Sequence, residues 1–266
     1  MRQIPFEESR IMMFDILKDI DSFCRKEGIN YSLGEGSLIG AIRHHGMIPW
    51  DDDIDLLMLR NDYERFKSSY HSDKYVLQPY DYNLNSWFLC LKVVNPKTII
   101  RINETGDEPY GLWVTVFPID NAPDNDKEVY KMDANIKKYM RLFRIRNSAW
   151  AKGNIIREFL FSIIHLLLLP FSKDYWHEKA EREMTKYNDL KTTRRGSFAF
   201  WGANHHAWVC SSKAFEEYMD VPFEGENFSI IKGYDEYLRC QYGDYMTLPP
   251  KEAQVPKHDY IPYWKD

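Results

Sequence analysis

Four aspartates stand close together at the start of an apolar run, in the segment PWDDDIDLLML. The pattern of residues 53–59 predicts a strand, on which Asp53 and Asp55 point to the same side, roughly 6–7 Å apart. Carboxylates at that spacing repel each other unless a cation lies between them, and oxygen ligands suit Mg²⁺ or Mn²⁺. A solvated turn is the alternative, but Asp55 lies within the apolar run. We therefore predict a catalytic metal site with Asp53 and Asp55 as ligands.

A glycine turn precedes this strand, in the segment GEGSLIGAIRHH. Glycines between a strand and a helix let backbone N–H groups approach a phosphate, and the N-terminus of the following helix favours an anion. Gly36 is therefore a candidate phosphate-binding residue. Arg43, on the predicted short helix, can donate two parallel hydrogen bonds to a phosphate, although a surface ion pair explains it equally well. A phosphate-binding turn followed by an acidic metal site is typical of enzymes that bind nucleotides.

The elements that must position these residues are strands and helices in alternation. Periodicity predicts helices at 8–26, 127–146, 174–190 and 233–242 and strands at 29–33, 53–59 and 111–117. Asn95-Pro96, between two β-rich runs, predicts a hairpin, and Pro118 is expected to end the strand before it. The fold class predicted from this order is α+β, with a mixed sheet in residues 1–120 and helices after it.

The bulk composition excludes several classes of protein. The 266 residues are 44% hydrophobic and 28% charged with a net charge of −5, which is typical of a globular protein and predicts no nucleic-acid partner. None of the four cysteines forms a C-x-x-C pair, so we expect free thiols in a reducing compartment. The N-terminus lacks the apolar core of a signal peptide, so a cytoplasmic protein is expected.

The middle of the chain has an unusual distribution of charge. Residues 127–157 contain nine Lys or Arg and two acidic residues, a net charge of +7, and the nearly uninterrupted apolar run 159–171 follows. One interpretation is a helix pair that covers the sheet with its cations in solvent. The other is a peripheral contact of residues 127–171 with the inner face of an anionic membrane. The apolar run is too short to span a bilayer, which takes about 20 residues.

Three blocks of this sequence resemble the LicD family of phosphotransferases. GSLIGAIRHHGMIPWDDDIDLLMLRNDYERF, at 36–66, is similar to the family's signature. GLWVTVFPIDNAPD, at 111–124, resembles the second block, and residues 221–250, with His258 after them, resemble the C-terminal block. The resemblance covers most of the chain in the expected order, and residues 125–220 match nothing in it.

The resemblance implies a nucleotidyltransferase-type fold, a mixed sheet with flanking helices and a helical C-terminal half. It divides the chain into a nucleotidyltransferase-like core at 1–124, a basic and apolar helical region at 125–220, and a C-terminal block at 221–266 that packs back on the core. Residue by residue, Gly36 and Ser37 hold nucleotide phosphates and Asp53-Ile54-Asp55 binds Mg²⁺. Trp50 and His258 are added as candidates for substrate binding.

Family members move a phospho-alcohol, typically phosphocholine, from a CDP-linked donor to a cell-surface glycan. We therefore expect this chain to use a CDP-linked alcohol and to modify a hydroxyl of a glycan or of its lipid-linked precursor. The acidic cluster is equally compatible with transfer of the nucleotidyl group itself. A binding protein that has kept the pocket and lost the chemistry is the non-enzymatic alternative.

The second block departs from the family pattern at Thr115, where an aspartate is usual. A third carboxylate often serves such folds as a metal ligand or a base, and threonine does neither well. Asp120 is the nearest carboxylate in the sequence and is a candidate catalytic residue. Three interpretations remain: Asp120 replaces the missing group, two carboxylates suffice, or the chain is catalytically weak.

Overall fold

Helices and strands alternate along the chain, and the computed structural model describes them in residues 1–78, 89–102, 106–108, 111–147, 155–199, 208–256 and 260–266. The helices are α1 (Phe6–Glu27), α2 (Glu35–His44), α3 (Arg60–Ser69), α4 (Asp126–Asn147), α5 (Ile155–Leu168), α6 (Tyr175–Met184) and α7 (Tyr234–Tyr242). The strands are β1 (Ser32–Leu33), β2 (Asp55–Leu59), β3 (Val76–Gln78), β4 (Leu91–Val94), β5 (Thr98–Ile102), β6 (Gly106–Glu108), β7 (Trp113–Ala122), β8 (Arg194–Ser197), β9 (Trp208–Ser211), β10 (Tyr218–Phe223), β11 (Glu226–Ile231) and β12 (Tyr260–Trp264).

The long helices begin and end where local sequence signals place them. In α1, Met13, Ile16, Leu17 and Ile20 are buried at helical spacing, because one face of the helix packs on the sheet. Gly28 ends this helix in the left-handed conformation, with φ of 62°. The helices predicted at 8–26, 127–146 and 233–242 are thereby confirmed, each within one or two residues of α1, α4 and α7.

The central sheet has the order β1-β2-β7-β4-β3, and β8 and β9 extend it from β7. β2 and β7 are parallel, with Asp55 beside Thr115, and the remaining neighbours in this sheet are antiparallel. A mixed sheet with helices packed on it confirms the α+β prediction. The prediction that only helices follow residue 120 is wrong, because β8 and β9 from the second half join the same sheet.

The predicted hairpin around Asn95-Pro96 is also wrong. β4 pairs with β3 and β7, whereas β5 pairs with β6 and β12 in a separate three-stranded sheet. Thr98 explains the change of direction, since its hydroxyl donates to Asn95 O at 2.9 Å and accepts from Leu112 N at 2.9 Å. The local turn signal is real, but these contacts direct the following strand into another sheet.

The strand β7 continues through Pro118 and does not end before it, as the sequence predicted. Proline has no N–H group to donate to a neighbouring strand. The strand nevertheless continues beyond it, because Asp120 and Ala122 pair with β8. Asp120 therefore lies inside a strand rather than in a loop after one.

The helix α5 has an exposed apolar surface. It is held to the end of α4, where His165 Nδ1 lies 2.8 Å from Ile145 O. Its exposed apolar side chains are Ile156, Phe159, Leu160, Ile163, Ile164, Leu166 and Leu167. Within the described ranges, the structure contains no helix that combines the length and the apolarity needed to cross a membrane.

Candidate active site

The start of β2 and the start of α2 lie side by side. Ser37 is buried near the beginning of α2, and its Oγ accepts a hydrogen bond from Asp55 N at 3.0 Å. Gly34, just before α2, donates to Asp55 O at 2.8 Å. The turn before α2 therefore fixes the backbone of Asp55. The strand predicted at 53–59 begins two residues later, at Asp55, and Asp53 lies just before it.

The carboxylates of Asp51, Asp52 and Asp53 lie close together, and one oxygen of each lies within 4.8 Å of the others. Asp55 belongs to the same electrostatic environment. Burial raises the pKa of Asp55 well above its usual value, and the charges of Asp53, Glu35 and Asp51 raise it further. Hard oxygen ligands at these separations fit a divalent cation such as Mg²⁺ or Mn²⁺, which would relieve the repulsion. We refer to Asp51, Asp52, Asp53 and Asp55 below as the acidic cluster.

Gly36 is required by the packing of this cluster. The carboxylate of Asp51 lies so close to Gly36 that a Cβ at this position would overlap with its Oδ2. The glycine therefore lets Asp51 approach the start of α2. The contacts with nucleotide phosphates that the resemblance implies for Gly36 and Ser37 stay predictions.

Glu35 is a residue of the site that the sequence analysis missed. It lies at the first position of α2 with φ of 46°, in the left-handed region that few residues other than glycine adopt. Its buried carboxylate accepts hydrogen bonds from the hydroxyls of Tyr237 and Tyr242, at 2.8 and 2.6 Å, and from the side-chain amide of Gln241. Burial nevertheless raises the pKa of Glu35. An ionisable residue between two glycines was the signal that could have identified it.

These contacts of Glu35 join α7 to the glycine turn. The three donors lie on one helix more than 200 residues away in the sequence. A carboxylate that accepts three hydrogen bonds holds its position firmly. The packing of α7 and the geometry of the acidic cluster are therefore coupled through one side chain.

Tyr260 closes the other side of the acidic cluster. Its hydroxyl donates to Asp52 O at 2.6 Å, and its ring lies 5.3 Å from that of Trp113. Burial, followed by the charges of Asp52 and Asp53, raises the pKa of Tyr260 well above its ordinary value. The phenol therefore remains protonated, and this link ties the three-stranded sheet to the cluster.

Comparison with known proteins identifies a family match that includes the acidic cluster. Residues 28–149, which contain the acidic cluster and Glu35, match the family model described as LicD/FKTN/FKRP, nucleotidyltransferase domain. The lipopolysaccharide cholinephosphotransferase LicD of Haemophilus influenzae is 29% identical to this chain over 281 aligned positions, which cover 97% of each protein.

Residues 28–149 of this chain match the LicD family domain. Because 97% of this chain is aligned with the Haemophilus protein, the alignment includes α7 as well as the acidic cluster. Shorter matches exist to uncharacterized proteins of Rickettsia typhi, 34% identical over 61 residues, and Rickettsia prowazekii, 36% identical over 52 residues. Each of these covers 20% of the Rickettsia protein, with 23% and 20% of this chain.

Thr115 lies where the LicD family pattern led us to expect an aspartate. It is buried beside Asp55 on the neighbouring strand, and its hydroxyl donates to the Asp55 carboxylate, which lowers the pKa of that group. The indole of Trp113 donates to Thr115 Oγ1 at 3.2 Å. Threonine thus serves here as a hydrogen-bond donor to the acidic cluster, a function that an ionised aspartate could not perform.

Asp120 is not brought to the acidic cluster. It lies five residues beyond Thr115 on β7, an odd number, so its side chain points to the opposite face of the sheet. Arg60 donates to both its oxygens, at 2.7 and 2.6 Å, and Asn188 donates to one of them at 2.6 Å. These contacts contradict the hypothesis that Asp120 replaces the missing third carboxylate.

The structure shows the surroundings of two of the three remaining residues that were predicted to bind substrate. Arg43 donates to Tyr245 O at 2.5 Å and to the ring of His44 at 3.0 Å, so its guanidinium ties α2 to the loop after α7. Trp50 is partly buried and packs edge-on against His44. His258 lies outside the described residues. A phosphate contact of Arg43 and substrate contacts of Trp50 and His258 stay predictions.

Proposed function

We propose that this chain transfers phosphocholine from a CDP-linked donor to a hydroxyl of a lipopolysaccharide glycan or of its lipid-linked precursor. The observation that carries this proposal is the similarity to a lipopolysaccharide cholinephosphotransferase over 97% of both chains. The acidic cluster at the junction of α2 and β2 supports it, because transfer of a phosphoryl group requires neutralisation of charge on phosphate oxygens. We also propose that the mixed sheet is a nucleotidyltransferase-type core, in accord with the description of the family model.

The reaction forms one bond and breaks one. The glycan hydroxyl attacks the phosphorus that carries choline, a new glycan O–P bond forms, and the bond to the phosphate of CMP breaks. A carboxylate of the acidic cluster accepts the hydroxyl proton, and CMP departs. A divalent cation held by these carboxylates would neutralise the charge that grows on the departing phosphate. Thr115, Ser37 and Glu35 keep the carboxylates in place through the contacts described above.

The test uses the purified protein, Mg²⁺, lipopolysaccharide lacking phosphocholine, and CDP-choline labelled in the choline. Label on the glycan together with equimolar CMP supports the proposal. Free phosphocholine with CMP attached to the glycan would assign transfer of the nucleotidyl group instead. A thermal-shift comparison of CDP-choline, CDP-ethanolamine, CDP-glycerol and CDP-ribitol identifies the alcohol, because a ligand that binds the folded state raises the melting temperature.

We further propose that the exposed face of α5 and the cations of α4 contact an anionic membrane surface on the cytoplasmic side. Ile156 and Leu167 are 72% and 69% exposed, while Lys138, Arg141 and Arg144 are exposed on the adjoining helix. With 14 residues, α5 is about 21 Å long, so it fits the plane of the interface rather than the depth of a bilayer. The charge of α4 favours anionic lipid, at about 1 kcal/mol for each cation near the surface. A lipid-linked acceptor would be reached from this position.

Vesicle sedimentation tests the membrane contact. The protein is expected to pellet with phosphatidylglycerol vesicles at low salt, to remain in solution with phosphatidylcholine vesicles, and to be released by salt. Leu160→Asn with Leu167→Asn should abolish pelleting. Ile11→Asn, at an exposed apolar position on α1, is the matched control and should pellet as wild type does. Folded wild type that ignores anionic vesicles would refute the proposal, and a dimer dissociated by the α5 variants would assign this face to a second copy.

A further inference from the structure

Tyr242 places an aromatic side chain at the rim of the candidate active site. It is the last residue of α7, and its hydroxyl donates to the Glu35 carboxylate at 2.6 Å. The residue as a whole is nevertheless 41% exposed. The hydroxyl therefore anchors Tyr242 inside the site, while apolar surface of the same residue remains available to a ligand.

The surroundings of Tyr242 are negatively charged. Burial of its hydroxyl and the charge of Glu35 raise the pKa of Tyr242 well above its ordinary value, and the charges of Asp55 and Asp51 raise it further. The phenol therefore stays neutral and lies within electrostatic range of the acidic cluster. The same field that opposes ionisation of the phenol attracts a positively charged group of a ligand.

A cation beside Tyr242 would be stabilised in two ways. A quaternary ammonium group over a tyrosine ring is attracted by the negative face of the π-system. The four aspartates of the acidic cluster and Glu35, when ionised, carry more negative charge than two divalent cations balance, and the phosphates of a nucleotide-linked donor add to it. A neutral nucleobase would gain from contact with the ring but not from this charge.

We propose that the ring of Tyr242 binds the trimethylammonium group of the donor, so that Tyr242 selects the alcohol that is transferred. The inference rests on the proposed function and adds to it the part of the site that recognises choline. Only two carbon atoms separate the ester oxygen of phosphocholine from its nitrogen. A donor whose phosphate lies at the acidic cluster therefore keeps its ammonium group near the rim of the site, where Tyr242 lies.

The test compares CDP-choline with its neutral analogue, the CDP ester of 3,3-dimethylbutanol, in which a carbon atom replaces the nitrogen. The two donors have nearly the same shape, so the ratio of their kcat/KM values for transfer measures recognition of the positive charge. Wild type is expected to prefer CDP-choline, and Tyr242→Leu should reduce this preference about 3- to 30-fold, the range of a cation–π contact. Tyr242→Phe should keep the preference, because the ring remains. Tyr130→Leu, at an exposed tyrosine on α4, is the matched control and should behave as wild type.

The affinity for CMP, which lacks choline, separates a choline site from a cytosine site. Isothermal titration calorimetry with Mg²⁺ should give the same CMP affinity for wild type and Tyr242→Leu. A lower CMP affinity of the variant with an unchanged donor preference would assign the ring to cytosine and overturn the inference. An equal loss of activity with both donors would indicate a purely structural role and would overturn it as well.

Two further outcomes separate this inference from the proposed function. If Tyr242→Leu does not fold, Tyr242→Met gives the same comparison with an unbranched side chain that also lacks a ring. Wild type that transfers from neither donor would refute the proposed function itself. Wild type that uses both donors equally well would refute only the role of Tyr242.

Discussion

Replacement of Asp53 or Asp55 by asparagine is expected to abolish phosphocholine transfer and to raise the melting temperature of the metal-free protein. Each substitution removes one negative charge from a cluster in which Asp53 and Asp51 already raise the pKa of buried Asp55. The loss of a metal-dependent contribution of several kcal/mol corresponds to about a thousandfold or more in rate. Relief of repulsion stabilises the folded state when no cation is bound. Activity assays and thermal denaturation in EDTA measure the two effects.

The pH dependence of stability gives an independent measurement on the same variants. Because burial and neighbouring carboxylates raise the pKa of Asp55 in the folded state, the folded protein binds a proton that the unfolded chain has already released. The metal-free wild type should therefore lose stability as the pH rises from about 4 through that raised pKa. Asp55→Asn should remove this loss, and Mg²⁺ should reduce it in wild type.

The control for these variants is Asp73→Asn, an exposed aspartate that lies outside the acidic cluster. It should leave transfer activity, melting temperature and pH profile unchanged. Near-normal Mg²⁺-dependent transfer by both Asp53→Asn and Asp55→Asn would show that these residues are not the metal ligands.

Replacement of Asp120 by alanine is expected to destabilise the fold by about 3–5 kcal/mol without a specific effect on catalysis. Asp120 is completely buried, and the side chain of its partner Arg60 is only 11% exposed. Removal of the carboxylate leaves the guanidinium buried without its counter-charge and also removes the acceptor of Asn188. Urea denaturation measures the stability, and transfer assays well below the melting temperature measure the activity of the folded fraction.

A double variant separates structure from chemistry at this position. Arg60→Met with Asp120→Leu replaces both members of the ion pair by apolar groups of similar size, which is expected to recover much of the lost stability. The double variant should transfer phosphocholine at a rate close to that of wild type. A stable Asp120→Ala or double variant with no activity would restore Asp120 as a catalytic residue.

The amino-acid sequence by itself determined the helices and the location of the acidic cluster. Helical periodicity and Gly28 delimited α1, and a similar pattern identified α4 and α7. These signals are local, since three or four residues along the chain decide which side chains share a helix face. Motif spacing also indicated the resemblance to the LicD family, whose domain model matches residues 28–149.

Only the tertiary structure decided which partners the charged residues have. Asp120 pairs with Arg60, Glu35 accepts hydrogen bonds from α7, and Arg43 contacts the backbone of Tyr245. These partners are 60 to 202 residues apart in the sequence. Local periodicity carries no information about contacts at such distances, because they depend on how the elements pack.

Strand register was decided in the same way. The sequence indicated that β2, β4 and β7 are strands, but not that Asp55, Thr115 and Lys92 lie in one row. A shift of one residue in either pairing would turn a side chain to the other face of the sheet. Burial of the apolar face selects one register among several that local sequence allows, and that choice places a lysine beside the acidic cluster.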